Sequence, residues 1–326
     1  MVRRAAGGGG TPDPRRGGGA VSALTGGLAD LRARVKGDVR EHEPLARYTT
    51  YRIGGPGAAV LHARSAEDVA AALEFAGATG TPWVALGLGS NVLVADAGFA
   101  GLVLRIGKGM DEVAIVDPHT WTAGAGLPTP LLARRTAAAG LGGVHRLVGV
   151  PGTVGGGVVM NAGAHGQEFA SVVQSVRTVA QSGAIRDMRA DSLTWRYRDS
   201  GLRDVVVVGA TLRLEPADHG DLEADVRRHL AWRKAGTPFD QPCCGSVFRN
   251  PPPVNGERRT AGQLIDQAGL KGFTIGRAQV SPLHANYIVN LGEATADQVR
   301  AVMDAVRERV LKQFGLELAL EVRMVG

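Results

Sequence analysis

The sequence predicts an α+β protein of three units, and three observations predict it. Short apolar runs of strand length are interleaved with stretches at helical spacing. Two long Gly-rich loops fall in separate αβ segments some sixty residues apart. The C-terminal part closes on a capped helix and a short strand of its own. At 326 residues the chain exceeds one ordinary domain and can bury two or three compact units.

Residues Met1 to about Ala20 are rich in Gly, Pro and Arg and read as disordered. Ala23–Val35 has helical spacing, and Ala58–His62 reads as a strand. Ser65-Ala-Glu-Asp68 is a capping-box pattern, Val69, Leu73 and Ala76 follow at helical spacing, and Gly80 marks the stop. Trp83–Leu86, Val92–Ala95 and Leu102–Ile106 read as strands around the loop Gly87-Leu-Gly-Ser-Asn91. Thr129-Pro130 starts a helix, with Thr as cap and Pro first, running to Gly140. Val148–Gly166 carries neither period. Val173–Ala180 and Val205–Leu214 read as strands, the second continuous enough to be buried. Glu223–Lys234 reads as a helix. Thr295-Ala-Asp-Gln298 caps another, with Val299, Val302, Met303, Val306 and Val310 on one face, and Glu317–Val325 closes as a strand.

The pI near 9.7 suits nucleic acid at first sight, but the charge is badly placed for it. Arg3, Arg4, Arg15 and Arg16 against Asp13 give the first twenty residues +3 of the net +6, and no basic patch is interleaved with aromatics. No apolar run is long enough for a membrane helix, and the N-terminal arginines lead into glycines rather than an apolar signal core. Cys243 and Cys244 are adjacent, with no metal-ligand spacing. These features predict a cytoplasmic protein with small anionic ligands, without metal, nucleic acid or membrane as partner.

The chemistry resides in few segments. Gly87-Leu-Gly-Ser-Asn91 and Pro151-Gly-Thr-Val-Gly-Gly-Gly157 let backbone approach a diphosphate and offer bare N–H groups to it. Neither is a Rossmann fingerprint or a Walker loop. Either alone reads as a tight turn, whereas a ligand touching both must be long, as a dinucleotide is. Tyr197-Arg-Asp-Ser200 reads on bare sequence as a solvated turn. Gly245-Ser-Val-Phe-Arg-Asn-Pro251 crowds a hydroxyl, a cation and an amide, with no His placed to make Ser246 a hydrolase nucleophile. Glu321 and Arg323 lie two apart on the expected last strand and would share a face.

Taken in order, Thr49-Thr-Tyr-Arg-Ile-Gly-Gly55, both Gly-rich loops, Met160-Asn-Ala-Gly-Ala-His-Gly166, Tyr197–Ser200 and Gly245–Pro251 resemble the UDP-N-acetylenolpyruvoylglucosamine reductases. Gly269-Leu-Lys-Gly272, Ile275-Gly276, Gln279-Val-Ser281, His284-Ala-Asn286 and Glu321-Val-Arg323 complete the series over about residues 45 to 326. The resemblance implies a two-lobed FAD-binding domain of the vanillyl-alcohol-oxidase-like type plus a C-terminal α+β substrate-binding domain. Its divisions would be a tail over 1–20, FAD lobes over 21–107 and 108–217, and the substrate domain over 218–326. It implies non-covalent FAD, NADPH as reductant, an enolpyruvyl UDP-sugar as substrate, a role in peptidoglycan precursor synthesis, and a monomer.

The resemblance also implies roles. Arg198 would bind the substrate carboxylate and stabilise the enolate-like charge, Ser246 would give its proton to the carbanion, and Glu321 would act beside them in its acid form. Gly87, Gly89, Ser90, Asn91, Pro151, Gly152, Thr153, Gly155, Gly156, Asn161, Gly163, Ala164 and His165 would hold FAD. Tyr197, Asn250, Lys271, His284 and Arg323 would hold substrate. Cys243-Cys244 stands where relatives carry small residues, and Ala319-Leu320 replaces a Glu-Pro. Pro216–His229 lacks the tyrosine of a lid loop found in some members, so the chain resembles the class without that lid and another group must shield the site. A flavin oxidase of the same cofactor fold, or a non-catalytic flavin or UDP-sugar binder, would share the loops without needing Arg198, Ser246 and Glu321 together.

Overall fold

The computed structural model describes residue 24 and residues 26–253 and 257–326, and the tail expected to be disordered lies outside them. Residues 26–34 form helix α1. Strand β1 (Asp38–Pro44) runs antiparallel to β2 (Pro56–Ala63), and a crossover then carries the chain past one strand position to the far edge of the sheet. That crossover is α2 (Ala66–Thr79), whose Val69, Ala72, Leu73, Phe75 and Ala76 bury one stripe against the sheet. Each large apolar side chain so buried contributes about 1.5–3 kcal/mol. Gly80 ends α2 at φ 66°, where it donates back to Ala76 O. The start of α2 differs from the capping box expected. Ser65 accepts from Asp68 N, but the buried Asp68 carboxylate turns away to accept from Lys36 N and Arg64 N, both at 2.8 Å. Strand β3 (Trp83–Leu86) precedes β4 (Val92–Val94) and β5 (Phe99–Ile106), and the first sheet has the order β1-β2-β5-β3.

The second sheet is wholly antiparallel. Strands β6 (Val113–Asp117), β7 (Thr120–Gly124), β8 (Val173–Ala180), β9 (Ile185–Arg189) and β10 (Val205–Arg213) lie in the order β9-β8-β10-β7-β6. The continuous apolar run of β10 is explained by its place at the centre, where Val206, Val207, Val208, Ala210 and Leu212 are buried. Helix α3 (Thr129–Ala138) begins one residue earlier than expected, with Pro128 as N-cap. Thr129 N bonds Gly152 O at 3.0 Å, and this contact to the second Gly-rich loop displaces the local cap, leaving the Thr129 hydroxyl buried without a partner. Within Val148–Gly166 a short helix, α4 (Val154–Val159), is present that no period revealed. Its glycines permit close packing: a Cβ on Gly157 would stand 2.4 Å from the Phe169 ring.

The C-terminal unit has its own core. Helix α5 (His219–Gly236) leads into it but packs on α3 and residues 141–149 of the second unit; it starts four residues before the expected Glu223, because Asp218 caps it by accepting from Asp221 N. Helices α6 (Ala261–Gln267) and α7 (Ala296–Phe314) pack around a small sheet of Thr274–Ile275, Ala278–Val280 and Ile288–Asn290. The Thr295–Gln298 capping box and the apolar face of α7 are as the sequence predicts. Two contacts weld this unit to the first sheet's segment. The Asp96 carboxylate accepts from Ala296 N at 2.7 Å and Asp297 N at 3.1 Å, and Tyr51, Ile53 and Leu93 join the C-terminal core. The last strand is shorter than expected: only Arg323–Val325 is strand, paired in parallel with β4. Upstream, Glu321 N and Val322 N both turn to Val247 O, which breaks the alternation a strand requires. Among the described residues no helix is long and apolar enough to cross a membrane.

Candidate active site

The three units meet around a cavity of about 1020 Å³. It is large enough for a dinucleotide, at the upper end of ligand-pocket sizes. Both Gly-rich loops line it, and they touch. A Cβ on Gly87 would lie 2.6 Å from Thr153 Oγ1, and one on Gly152 would lie 2.9 Å from Ser90 Oγ. A side chain at either glycine would run into the facing loop and narrow the cleft between them, a cradle that fits a diphosphate. Of the residues expected to hold FAD, Gly87, Gly89, Ser90, Asn91, Pro151, Gly152, Thr153, Gly155, Gly156, Gly163, Ala164 and His165 all line this cavity.

Asn161 does not. It is buried at φ 40°, its Nδ2 donates to Arg196 O at 3.1 Å, and its Oδ1 accepts from Ala170 N at 3.0 Å. Its side-chain amide spends one donor and one acceptor on backbone groups away from the cavity. What it positions is the turn Arg196–Asp199, closed by Arg196 N to Asp199 O at 2.7 Å and anchored next door by Ser200 Oγ to Val159 O at 3.0 Å. The solvated-turn reading of this segment therefore gives way to a braced one. Arg198 sits in the turn at φ 58° and donates from Nε to Glu321 Oε1 at 2.7 Å. The pair is largely shielded, and both residues line the cavity. Hydrogen bonds from Arg203 and Gly201 hold the Asp199 carboxyl well below its usual range.

Ser246 lines the same cavity, following Gly245 at φ 79°. Its segment is clamped by Asn286, whose backbone O accepts from Val247 N while its side chain bonds Phe248 N at 3.0 Å and Phe248 O at 2.8 Å. Glu321 is tied on by its backbone: Asn91 Nδ2 donates to Glu321 O at 3.1 Å. Arg198, Ser246 and Glu321, from three distant segments, thus converge on one cavity. Glu321 meets Arg198 as an ion-pair acceptor through Oε1, whereas the sequence reading gave it an acid-form role.

Of the expected substrate ligands, His284 and Arg323 line the cavity. Burial pushes the His284 imidazole below its ordinary value, and burial followed by repulsion from Arg203 lowers Arg323. Three others do not line it. Tyr197 is half exposed and lies beneath the Arg198 guanidinium, 4.8 Å from its ring centre. Asn250 Oδ1 accepts from Ala261 N at 3.0 Å at the start of α6, and Lys271 Nζ pairs with Asp266 at 2.8 Å. Sequence reasoning missed Trp232, Arg233, Tyr287 and Arg203, which do line it. Arg233 Nη1 donates to Tyr287 Oη at 2.8 Å, and Trp232 meets His165 edge-on with ring centres 4.8 Å apart. On α5 a Trp-Arg pair amid charged residues carries no signal that distinguishes a rim from a solvated face. Cys243 and Cys244 are free thiols, and burial pushes Cys244 up to about 12.

A family model for the UDP-N-acetylenolpyruvoylglucosamine reductase C-terminal domain matches residues 237–325, and one for an FAD binding domain matches residues 56–189. Among curated relatives, the UDP-N-acetylenolpyruvoylglucosamine reductase of Rubrobacter xylanophilus is 44% identical over 287 residues, 87% of this chain and 94% of that protein. The reductase 2 of Symbiobacterium thermophilum is 42% identical, covering 90% and 94%. The crystal structure of the reductase from Thermus caldophilus aligns with a TM-score of 0.74 at 32% identity, covering 89% of this chain and 99% of that one.

Proposed function

Because the chain belongs to the UDP-N-acetylenolpyruvoylglucosamine reductase family, we propose that it reduces the enolpyruvyl group of UDP-N-acetylglucosamine enolpyruvate to UDP-N-acetylmuramate, with NADPH as reductant and non-covalent FAD in the cavity, a step in peptidoglycan precursor synthesis. The observation that carries the reading is the convergence of Arg198, Ser246 and Glu321 beside two Gly-rich loops that leave a cradle for a diphosphate. Bound there, FAD supplies the hydride chemistry that links NADPH to the terminal enolpyruvyl carbon.

The chain's own groups do the rest. The Arg198 guanidinium binds the substrate carboxylate and offers a preorganised positive charge to the enolate-like charge that builds on the neighbouring carbon. Ser246 Oγ gives its proton to that carbon; a serine is a weak acid, but a carbanion is a strong base and the clamped segment fixes the approach. Glu321 accepts from Arg198 Nε and holds the guanidinium fork in register. Arg323 and His284 hold the substrate's anionic part, and Trp232, Arg233 and Tyr287 exclude water at the rim. In this division residues 21–107 and 108–217 hold the cofactor and residues 218–326 the substrate, with Arg198 reaching it from the second lobe. The same reading gives a monomer in the cytoplasm, a compartment that the free thiols suit.

The test is an anaerobic spectrum of the purified protein. A flavin absorption that bleaches with NADPH and returns with the enolpyruvyl UDP-sugar is expected. A protein that binds no FAD, or whose flavin is reduced by alcohols and reoxidised by oxygen but not by the sugar, would overturn the reading.

A further inference from the structure

Arg105, on β5, lies behind the first Gly-rich loop rather than in the cavity. Its Nη1 donates to Leu86 O at 3.2 Å, to Ile106 O at 3.1 Å and to Gly87 O, and its guanidinium stacks 5.6 Å from the Tyr48 ring centre. Burial holds its pKa below the ordinary guanidinium value, and the influence opposing that comes from Tyr48, not from a carboxylate. Shielded cations ordinarily carry a paired anion, because an uncompensated one is costly. Among the described residues Arg105 has no carboxylate within ion-pair distance.

The loop itself indicates where the anion belongs. A trans peptide points its C=O and its N–H in opposite directions. The carbonyls of Leu86 and Gly87 face Arg105, and that of Gly89 faces Thr50, accepting from its N at 3.1 Å and its Oγ1 at 3.3 Å. The amides of Gly87, Leu88 and Ser90 must therefore face the other way, toward the cavity these residues line. Gly89 makes this possible: it sits at φ 62°, and a Cβ there would stand 2.0 Å from Tyr48 O. Three amides turned into one concavity, with a cation behind them, form an anion cradle.

We propose that Arg105 is a positioning residue for the cofactor diphosphate: it pins the Leu86 and Gly87 carbonyls so that the following amides face the cavity, and it is the shielded positive charge that the diphosphate neutralises. The proposal rests on the FAD reading above. Its test is FAD binding and thermal stability of deflavinated protein for wild type, Arg105→Met and Arg105→Lys. Methionine keeps the stem and removes both charge and donors. FAD affinity is expected to fall about tenfold or more, the scale of one hydrogen bond to a charged group. The deflavinated Arg105→Met protein should lose less stability than FAD-binding free energy, because removal of an unpaired shielded charge offsets the lost carbonyl hydrogen bonds. Arg105→Lys keeps the charge without the fork and should fall between the two. Unchanged FAD affinity in Arg105→Met would overturn the proposal. So would a deflavinated protein that melts lower in step with its affinity loss, since that is the mark of a merely structural arginine. Wild-type protein that binds no FAD would instead remove the cofactor reading, and this proposal with it.

Discussion

Arg198 and Glu321 are 123 residues apart in the chain and 2.7 Å apart at Nε and Oε1. The contact bridges the second sheet's segment and the C-terminal unit; Asn91 braces the Glu321 carbonyl, and Asn161 braces the Arg198 turn at Arg196 O. A planar guanidinium held by one nitrogen keeps its other nitrogens for a carboxylate arriving in the cavity.

Arg198→Lys tests that geometry. An ammonium retains the charge but cannot hold Glu321 and a substrate carboxylate in one plane. Reoxidation of the reduced protein by the enolpyruvyl UDP-sugar should slow by about 10²–10³, the scale of a lost oxyanion-type donor, while reduction by NADPH is unaffected. Stopped-flow absorbance resolves the two half-reactions, and near-normal reoxidation would take Arg198 out of the chemistry.

Ser246→Ala separates proton donation from packing. The segment's order comes from Asn286, not from the hydroxyl, so the variant should fold and bind flavin normally. Its reoxidation by substrate should slow by about 10²–10⁴, the span of general-acid contributions. An equal fall in both half-reactions would mark Ser246 as structural.

Asn161→Ala should act without touching ligand. Two hydrogen bonds to buried or half-buried backbone disappear, and alanine is strained at φ 40°. Each backbone group left unpaired costs about 1–3 kcal/mol, so a several-degree loss of Tm is expected together with weaker substrate binding through the loosened Arg198 turn. A variant with lowered Tm but wild-type KM would confine Asn161 to the fold.

These residues also show what the sequence can and cannot reveal. Helix α7 was legible because its cap and its apolar face are local patterns, Thr295 with Gln298 and Val299 through Val310. Gly80 was legible for the same reason. Helix α4 was not, since six residues with three glycines hold no period and its existence depends on packing against Phe169. Site roles tied to motifs placed Arg198, Ser246, Glu321 and both loops on one cavity. Asn161, Asn250, Tyr197 and Lys271 lie off that lining, where their polar or aromatic groups meet neighbours that composition does not disclose. Trp232 and Arg233 escaped because a helix face looks the same whether it meets solvent or a ligand.

Stability should fall as pH drops below about 6.5, the ordinary histidine value. His145, His165 and His229 lie together between the second Gly-rich segment and α5, and burial lowers all three. Arg146 and Arg228 add repulsion to His165 and His229, while Asp225 opposes the shift at His145 and His229. Above that pH both folded and unfolded imidazoles are neutral and nothing is lost. Below it the unfolded chain takes up protons that the folded cluster resists, so stability rises with pH through this window. His229 stacks on His165 with ring centres 3.9 Å apart, and its Nε2 has no partner. His229→Phe therefore keeps a stacking ring without orphaning a hydrogen bond. It should melt near wild type at pH 8 and lose less Tm than wild type between pH 7 and 5. A melting profile as steep as wild type's would show that the acid sensitivity arises elsewhere.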